Sequence, residues 1–129
     1  MRTLLRFYVP LLIWVALIFG SSLVLPLWKF SLDRFNLDTI FNFFEYGILC
    51  GLLSRAIYHS IENRHLKRTL LLALGISFLI AGIDEMHQLY LPGRTSSFYD
   101  FIADIIGIVC ALAAFWYFEN NSAAPHEMD

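Results

Sequence analysis

The stretch from Asp84 to Asp104, DEMHQLYLPGRTSSFYDFIAD, decides the fold. It gathers Asp84, Glu85, His87, Gln88, Arg94, Asp100 and Asp104 around a Pro92-Gly93 break, and its flanks on both sides are almost wholly apolar. A proline ring removes a backbone donor and glycine admits positive φ, so the dipeptide ends one helix and turns the chain into the next. Ionisable groups beside such hydrocarbon-like flanks are costly. They persist where they face a bundle interior or a wet cavity and pair with one another, which marks the turn as a functional-site hypothesis between two transmembrane helices.

Outward from this turn the rest of the chain reads the same way. Of its 129 residues 58% are hydrophobic and only 16% charged, a composition far from that of a soluble domain. The expected fold is all-α, a four-transmembrane-helix bundle. Residues 1–118 form its one domain, and 119–129 a polar, disordered cytoplasmic tail. The uncharged run from Phe7 to Trp28 exceeds a secretory signal core and no Ala-x-Ala-like site follows it, so it predicts a retained first helix, about Leu4 to Leu27. The loop WKFSLDRFNLD leads to a second helix, roughly Thr39 to Tyr58. A third is expected from Thr69 to Leu91. A fourth, capped by Thr95, Ser96 or Ser97, runs to Phe118.

Helical spacing then sorts the faces. On the second helix Asp38, Asn42, Glu45, Tyr46 and Leu49 share one face, and Gly47 and Gly51 permit close approach of a neighbour. On the third, Thr69, Ala73, Ser77, Ala81, Asp84 and Gln88 form a small and polar stripe on a cylinder of Leu, Ile and Phe. On the fourth the stripe is Asp100, Asp104, Gly107, Ala111 and Ala114. Such stripes face protein rather than lipid. At about 1.5 Å per residue, Glu45, Asp84 and Asp104 lie roughly 10 Å below one membrane surface, with Ser21 and Ser22 approaching the same level. Helices that deliver polar groups to one depth predict a shared polar pocket.

Basic residues set the orientation. Arg2, Arg6, Arg55, Arg64, Lys67 and Arg68 share one side against Lys29, Arg34 and Arg94 on the other, so both termini are expected in the cytoplasm and the Pro92-Gly93-Arg94 turn outside. There is no polybasic footprint, so no nucleic-acid partner is expected. Cys50 and Cys110 fall in apolar runs and read as small hydrophobes, not as a disulfide or metal ligands.

The candidate ligand-binding set is Glu45, Asp84, Glu85, His87, Gln88, Arg94, Asp100 and Asp104; no metal and no cofactor are expected. Like carboxylates this close in poor solvent cannot all ionise cheaply, so some are expected to be protonated or neutralised by a cation, His87 or Arg94. Arg94 suits a planar anion or a salt bridge to Asp100 or Glu85. If the site is catalytic, the acid–base candidates are Glu85, His87 and Asp84; no HExxH, GxSxG, CxxC or phosphate-cradling glycine loop accompanies them.

At these residues the chain resembles the VanZ-like family of small bacterial membrane proteins, named for a protein linked to teicoplanin resistance. The resemblance lies in Asp84-Glu85-Met86-His87-Gln88, Pro92-Gly93-Arg94-Thr95, Asp100, and Asp104 with Gly107. Phe43-Phe44-Glu45-Tyr46-Gly47-Ile48-Leu49 and Phe19-Gly20-Ser21-Ser22 extend it from about Leu4 to Phe118. The chain departs from the family where Thr39 and Asn42 replace a usual Lys and His, so any chemistry resting on that His is missing here. The resemblance implies a multi-pass protein of the cell membrane acting at the envelope, in glycopeptide or lipoglycopeptide resistance. Its partners would be membrane lipid and an amphiphilic antibiotic or cell-wall lipid. The alternatives are a membrane enzyme acting on a lipid-linked phosphate and an ion or proton pathway.

Overall fold

Where apolar residues recur at helical spacing, the chain forms helices. The computed structural model describes residues 2–24, 34–61, 64–90 and 98–122, with side chains described from residue 5 to 21, 39 to 61, 64 to 90 and 98 to 122. Four helices and no strand occur among the described residues: α1 (Arg2–Val24), α2 (Arg34–Ser60), α3 (Leu66–Leu89) and α4 (Phe98–Ser122). The protein is an all-α bundle of four helices. Three of them, α2 from Thr39, α3 and α4, are long and apolar enough to cross a membrane, while the apolar part of α1, Leu5–Ser21, is shorter.

The helix ends differ from those expected. α2 begins at Arg34, so the second half of the predicted loop is helical, and α4 runs through Ser122, taking in the first four residues of the predicted tail. Apolarity marks where a helix lies in hydrocarbon, whereas its backbone bonding continues into the headgroup region, where polar side chains suit it equally well. The predicted turn at Pro92-Gly93 and the caps at Thr95, Ser96 and Ser97 lie outside the described residues.

The polarity of the bundle is inverted. The buried residues of α3 are Thr69, Ala73, Ser77, Ala81, Asp84 and Gln88, the whole predicted stripe. Leu71, Leu79, Met86 and Leu89 on the same helix are each at least 60% exposed. In water such a surface would aggregate; in a bilayer it meets a solvent as apolar as itself. The core between the helices is built mostly of small and medium side chains, among them Ile18, Leu49, Cys50, Ala56, Ala73, Ala81 and Ile108, around the larger Tyr46.

α2 is the hub. It packs against each of the other three helices, most extensively against α4, and α4 also packs on α3. The closest approach is between Gly107 of α4 and α2: a Cβ there would run into the Phe43 carbonyl oxygen and stand 3.2 Å from the Gly47 nitrogen. Gly51 takes no part in a close approach, because a Cβ at that position meets nothing within 4 Å. The buried face of α4 is Ala103, Asp104, Gly107 and Ile108, with Asp100 and Ala111 half-buried and Ala114 exposed. A stripe that repeats every 3.5 residues drifts by about 20° per heptad on a straight helix. By Ala114 the expected face has rotated out of the interface, and Phe115 meets Tyr58 edge to face instead.

Candidate functional site

The site begins on the last turns of α3. Asp84 and Gln88 are one helical turn apart on the buried stripe, and Gln88 Nε2 donates to Asp84 Oδ2 at 2.8 Å. α2 supplies Tyr46, the largest side chain that is fully buried, and a buried phenol needs a partner for its hydroxyl. It donates to the same Asp84 oxygen at 3.1 Å. One carboxylate oxygen on α3 thereby ties two helices together.

The neighbouring residue on α2, Glu45, faces α1. The Ser21 hydroxyl lies 2.9 Å from the Ile18 carbonyl and 3.3 Å from Glu45 Oε1, and shares its proton between them. Trp14 Nε1 donates to the Glu45 backbone carbonyl at 2.9 Å, fixing α1 against this turn of α2. Nearer the start of α2, Thr39 Oγ1 donates to Asp100 Oδ1 at 3.0 Å and links α2 to the first turn of α4.

Asp104 completes the arrangement from α4. It is 2% exposed, and among the described residues its Oδ1 has no hydrogen-bond partner. The carboxylates of Glu85, Asp84, Glu45 and Asp100 all act on it electrostatically, Glu85 most strongly. Tyr46 in turn feels the charges of Asp84, Asp104 and Glu45. Five predicted carboxylates from three helices therefore occupy one neighbourhood around Asp104, and three of them, Glu45, Asp84 and Asp104, lie close to Tyr46. Asp84 lies six residues before Tyr90, and Asp104 six after Phe98. Both are roughly 9 Å in from their helix ends, a common depth.

His87 stands apart. Its ring lies edge-on to Phe19 of α1, with centroids 6.1 Å apart at 74°, and among the described residues its buried Nδ1 has no hydrogen-bond partner. It forms no hydrogen-bonded acid–base pair with Glu85 or Asp84. Arg94 lies outside the described residues, as do the side chains of Ser22 and Asp38. Among the described residues no three His, Cys, Asp or Glu side chains are arranged to hold a metal ion. What the cluster offers is acceptor capacity: a partly buried set of carboxylates with one oxygen that lacks a donor, suited to a group rich in N–H or O–H or carrying positive charge.

Sequence reasoning placed Tyr46 on the correct face of α2 but missed its hydroxyl as the donor to Asp84. The signal was present: a phenol in the middle of an apolar helix, next to Glu45 and on the stripe with Leu49. Thr39 was noted only as a departure, and Trp14 not at all.

A family model described as VanZ/LLP1 matches residues 6–119, nearly the whole chain. No curated protein and no solved structure matches the chain.

Proposed function

The chain belongs to the VanZ-like family, and from that membership we propose that it is a multi-pass protein of the cell membrane whose carboxylate cluster opens outward and binds the polar head of an amphiphile. The amphiphile is a lipoglycopeptide antibiotic or a cell-wall lipid, and its binding at the envelope underlies resistance. The observation that carries this reading is Asp104: a buried carboxylate oxygen with no donor among the described residues, amid four other carboxylates. Bundles retain such a group at a cost in stability, and a ligand that donates hydrogen bonds to it recovers that cost. The exposed Leu, Ile and Phe of α3 and α4 supply a surface for the amphiphile's apolar part. Both termini lie in the cytoplasm, and Arg94, on the outer turn, holds an anionic group of the same ligand.

Teicoplanin susceptibility of cells producing the wild-type chain, Asp104→Asn, Arg94→Ala or Arg94→Lys tests this, with membrane levels of each protein measured in parallel. The wild type should protect and the Asn and Ala variants should not, at equal abundance. Lys should rescue poorly, since it lacks the planar fork. If Arg94 only clamps the turn, Arg94→Ala will cost several kcal/mol of stability and Asp100→Asn will restore both stability and protection. Unchanged protection by Asp104→Asn would end the proposal.

A further inference from the structure

The end of the bundle away from the carboxylates carries a second assembly. There the start of α1 meets the end of α2. The Phe7 ring of α1 stacks on the His59 imidazole of α2, with centroids 4.3 Å apart and planes 20° from parallel. Two guanidinium groups close on the same ring: Arg55 Cζ is 5.1 Å from its centroid and Arg6 Cζ 5.9 Å. The platform beneath them is fixed. His59 Nδ1 lies 2.9 Å from the Arg55 carbonyl, which can only accept, so this nitrogen carries the proton and Nε2 is left for other partners. Tyr8 donates to Ser60 Oγ at 2.9 Å, and Ser60 donates to the Ala56 carbonyl at 2.7 Å.

Among the described residues neither the Arg6 nor the Arg55 guanidinium has an ion pair or a hydrogen bond. Arg64, by contrast, lies over Tyr58, which also feels the Glu119 carboxylate, so that cation has an acid nearby. Two like charges gathered on one phenyl ring repel each other. Cation–π attraction, on the order of 1 kcal/mol each at exposed sites, holds them there but leaves their N–H donors unused. An anion with several oxygens resolves both problems, because each guanidinium presents a planar fork that matches a phosphate. The unpaired N–H groups of the first turn of α1 and the positive end of its dipole lie on the same side.

We propose that Arg6, Arg55 and the His59 edge hold the phosphate of an anionic phospholipid. The surroundings select a lipid over a soluble phosphate. Leu5, Val9 and Leu12 continue from the assembly along α1 and are exposed, providing a track for acyl chains. Trp116 and Tyr117, exposed near the end of α4, are of the aromatic type that collects at headgroup level. This site is separate from the carboxylate cluster and independent of what that cluster binds.

The test is native mass spectrometry of the delipidated full-length chain, titrated with phosphatidylglycerol, phosphatidylcholine or inorganic phosphate. The wild type should prefer phosphatidylglycerol to phosphatidylcholine. R6Q/R55Q should lose affinity for phosphatidylglycerol by at least about tenfold more than K67Q/R68Q, which removes the same charge from the same end. Should the double variant fail to fold, Arg6→Gln and Arg55→Gln singly should each weaken phosphatidylglycerol while leaving phosphatidylcholine unchanged. Equal losses in the two double variants would show diffuse charge only. No headgroup preference in the wild type, or full displacement of phosphatidylglycerol by inorganic phosphate, would likewise overturn the proposal.

Discussion

Asp84 and Asp104 are both buried carboxylates, and their surroundings set opposite expectations for them. Asp84 receives protons from Tyr46 and Gln88. Losing one donor strands part of a desolvated charge, so Tyr46→Phe should cost about 1–3 kcal/mol. Among the described residues Asp104 Oδ1 receives none, and every charge acting on it is another carboxylate. An amide there removes the repulsion and brings N–H donors to those neighbours, so Asp104→Asn should stabilise the bundle by roughly 1 kcal/mol or more. Thermal unfolding of both variants in detergent checks the two signs. A destabilised Asp104→Asn would mean that the carboxylate has a structural cation. The same contrast explains what was legible at this scale. Aspartates are visible as acids in any apolar run, but whether a donor reaches them depends on a hydroxyl from another helix. Thr39 is a case in point: its hydroxyl on α2 donates to Asp100 on α4.

Among the elements, α2 and α4 are held closest, and the reason is one residue. A methyl at position 107 has nowhere to go but into the Phe43 carbonyl, which belongs to a helix backbone and cannot swing aside. Gly107→Ala should cost about 1–3 kcal/mol or more through overpacking. Gly51→Ala meets open space and should be neutral or stabilising by up to about 1 kcal/mol from helix propensity. Melting temperatures of the pair, with tryptophan fluorescence to report the packing of Trp14 on α2, decide the matter. An indifferent Gly107→Ala would mean that the two helices can separate without loss. The sequence showed Gly47 and Gly51 as a spaced pair and Gly107 as part of a stripe. It could not show that Gly107 crosses at Gly47, because that pairing depends on the relative height of two helices far apart in the chain. The stripe of α3 was fully legible by comparison. Its six small or polar members stand out from Leu, Ile and Phe, and they are the residues that the helix buries.

For the molecule as a whole, the inverted surface establishes a membrane protein, and the basic residues propose which way it sits. In a variant lacking Cys50 and Cys110, a cysteine at Ser96 should react with an impermeant thiol reagent from outside, and one at Asn63 only after permeabilisation; the reverse pattern would invert the topology. The four helices were legible because apolar length is a local property. Their ends were not, since polar residues beyond the hydrocarbon remain helical, as in Arg34 to Asp38 and Glu119 to Ser122. The common depth of the acids was legible from residue counting, but their meeting around Tyr46 required the packing of α2 against both neighbours. The glycine crossing has a mechanical consequence for that meeting place. It lies within a helical turn of Glu45 on α2 and of Asp104 on α4, so these two acids belong to one stiff unit. Any change in the width of the site must come from α3 or α1 swinging about that unit. Were the site to widen, Glu45 and Asp104 would form its fixed jaw and Asp84 the jaw that swings, with the Tyr46 to Asp84 hydrogen bond as the latch.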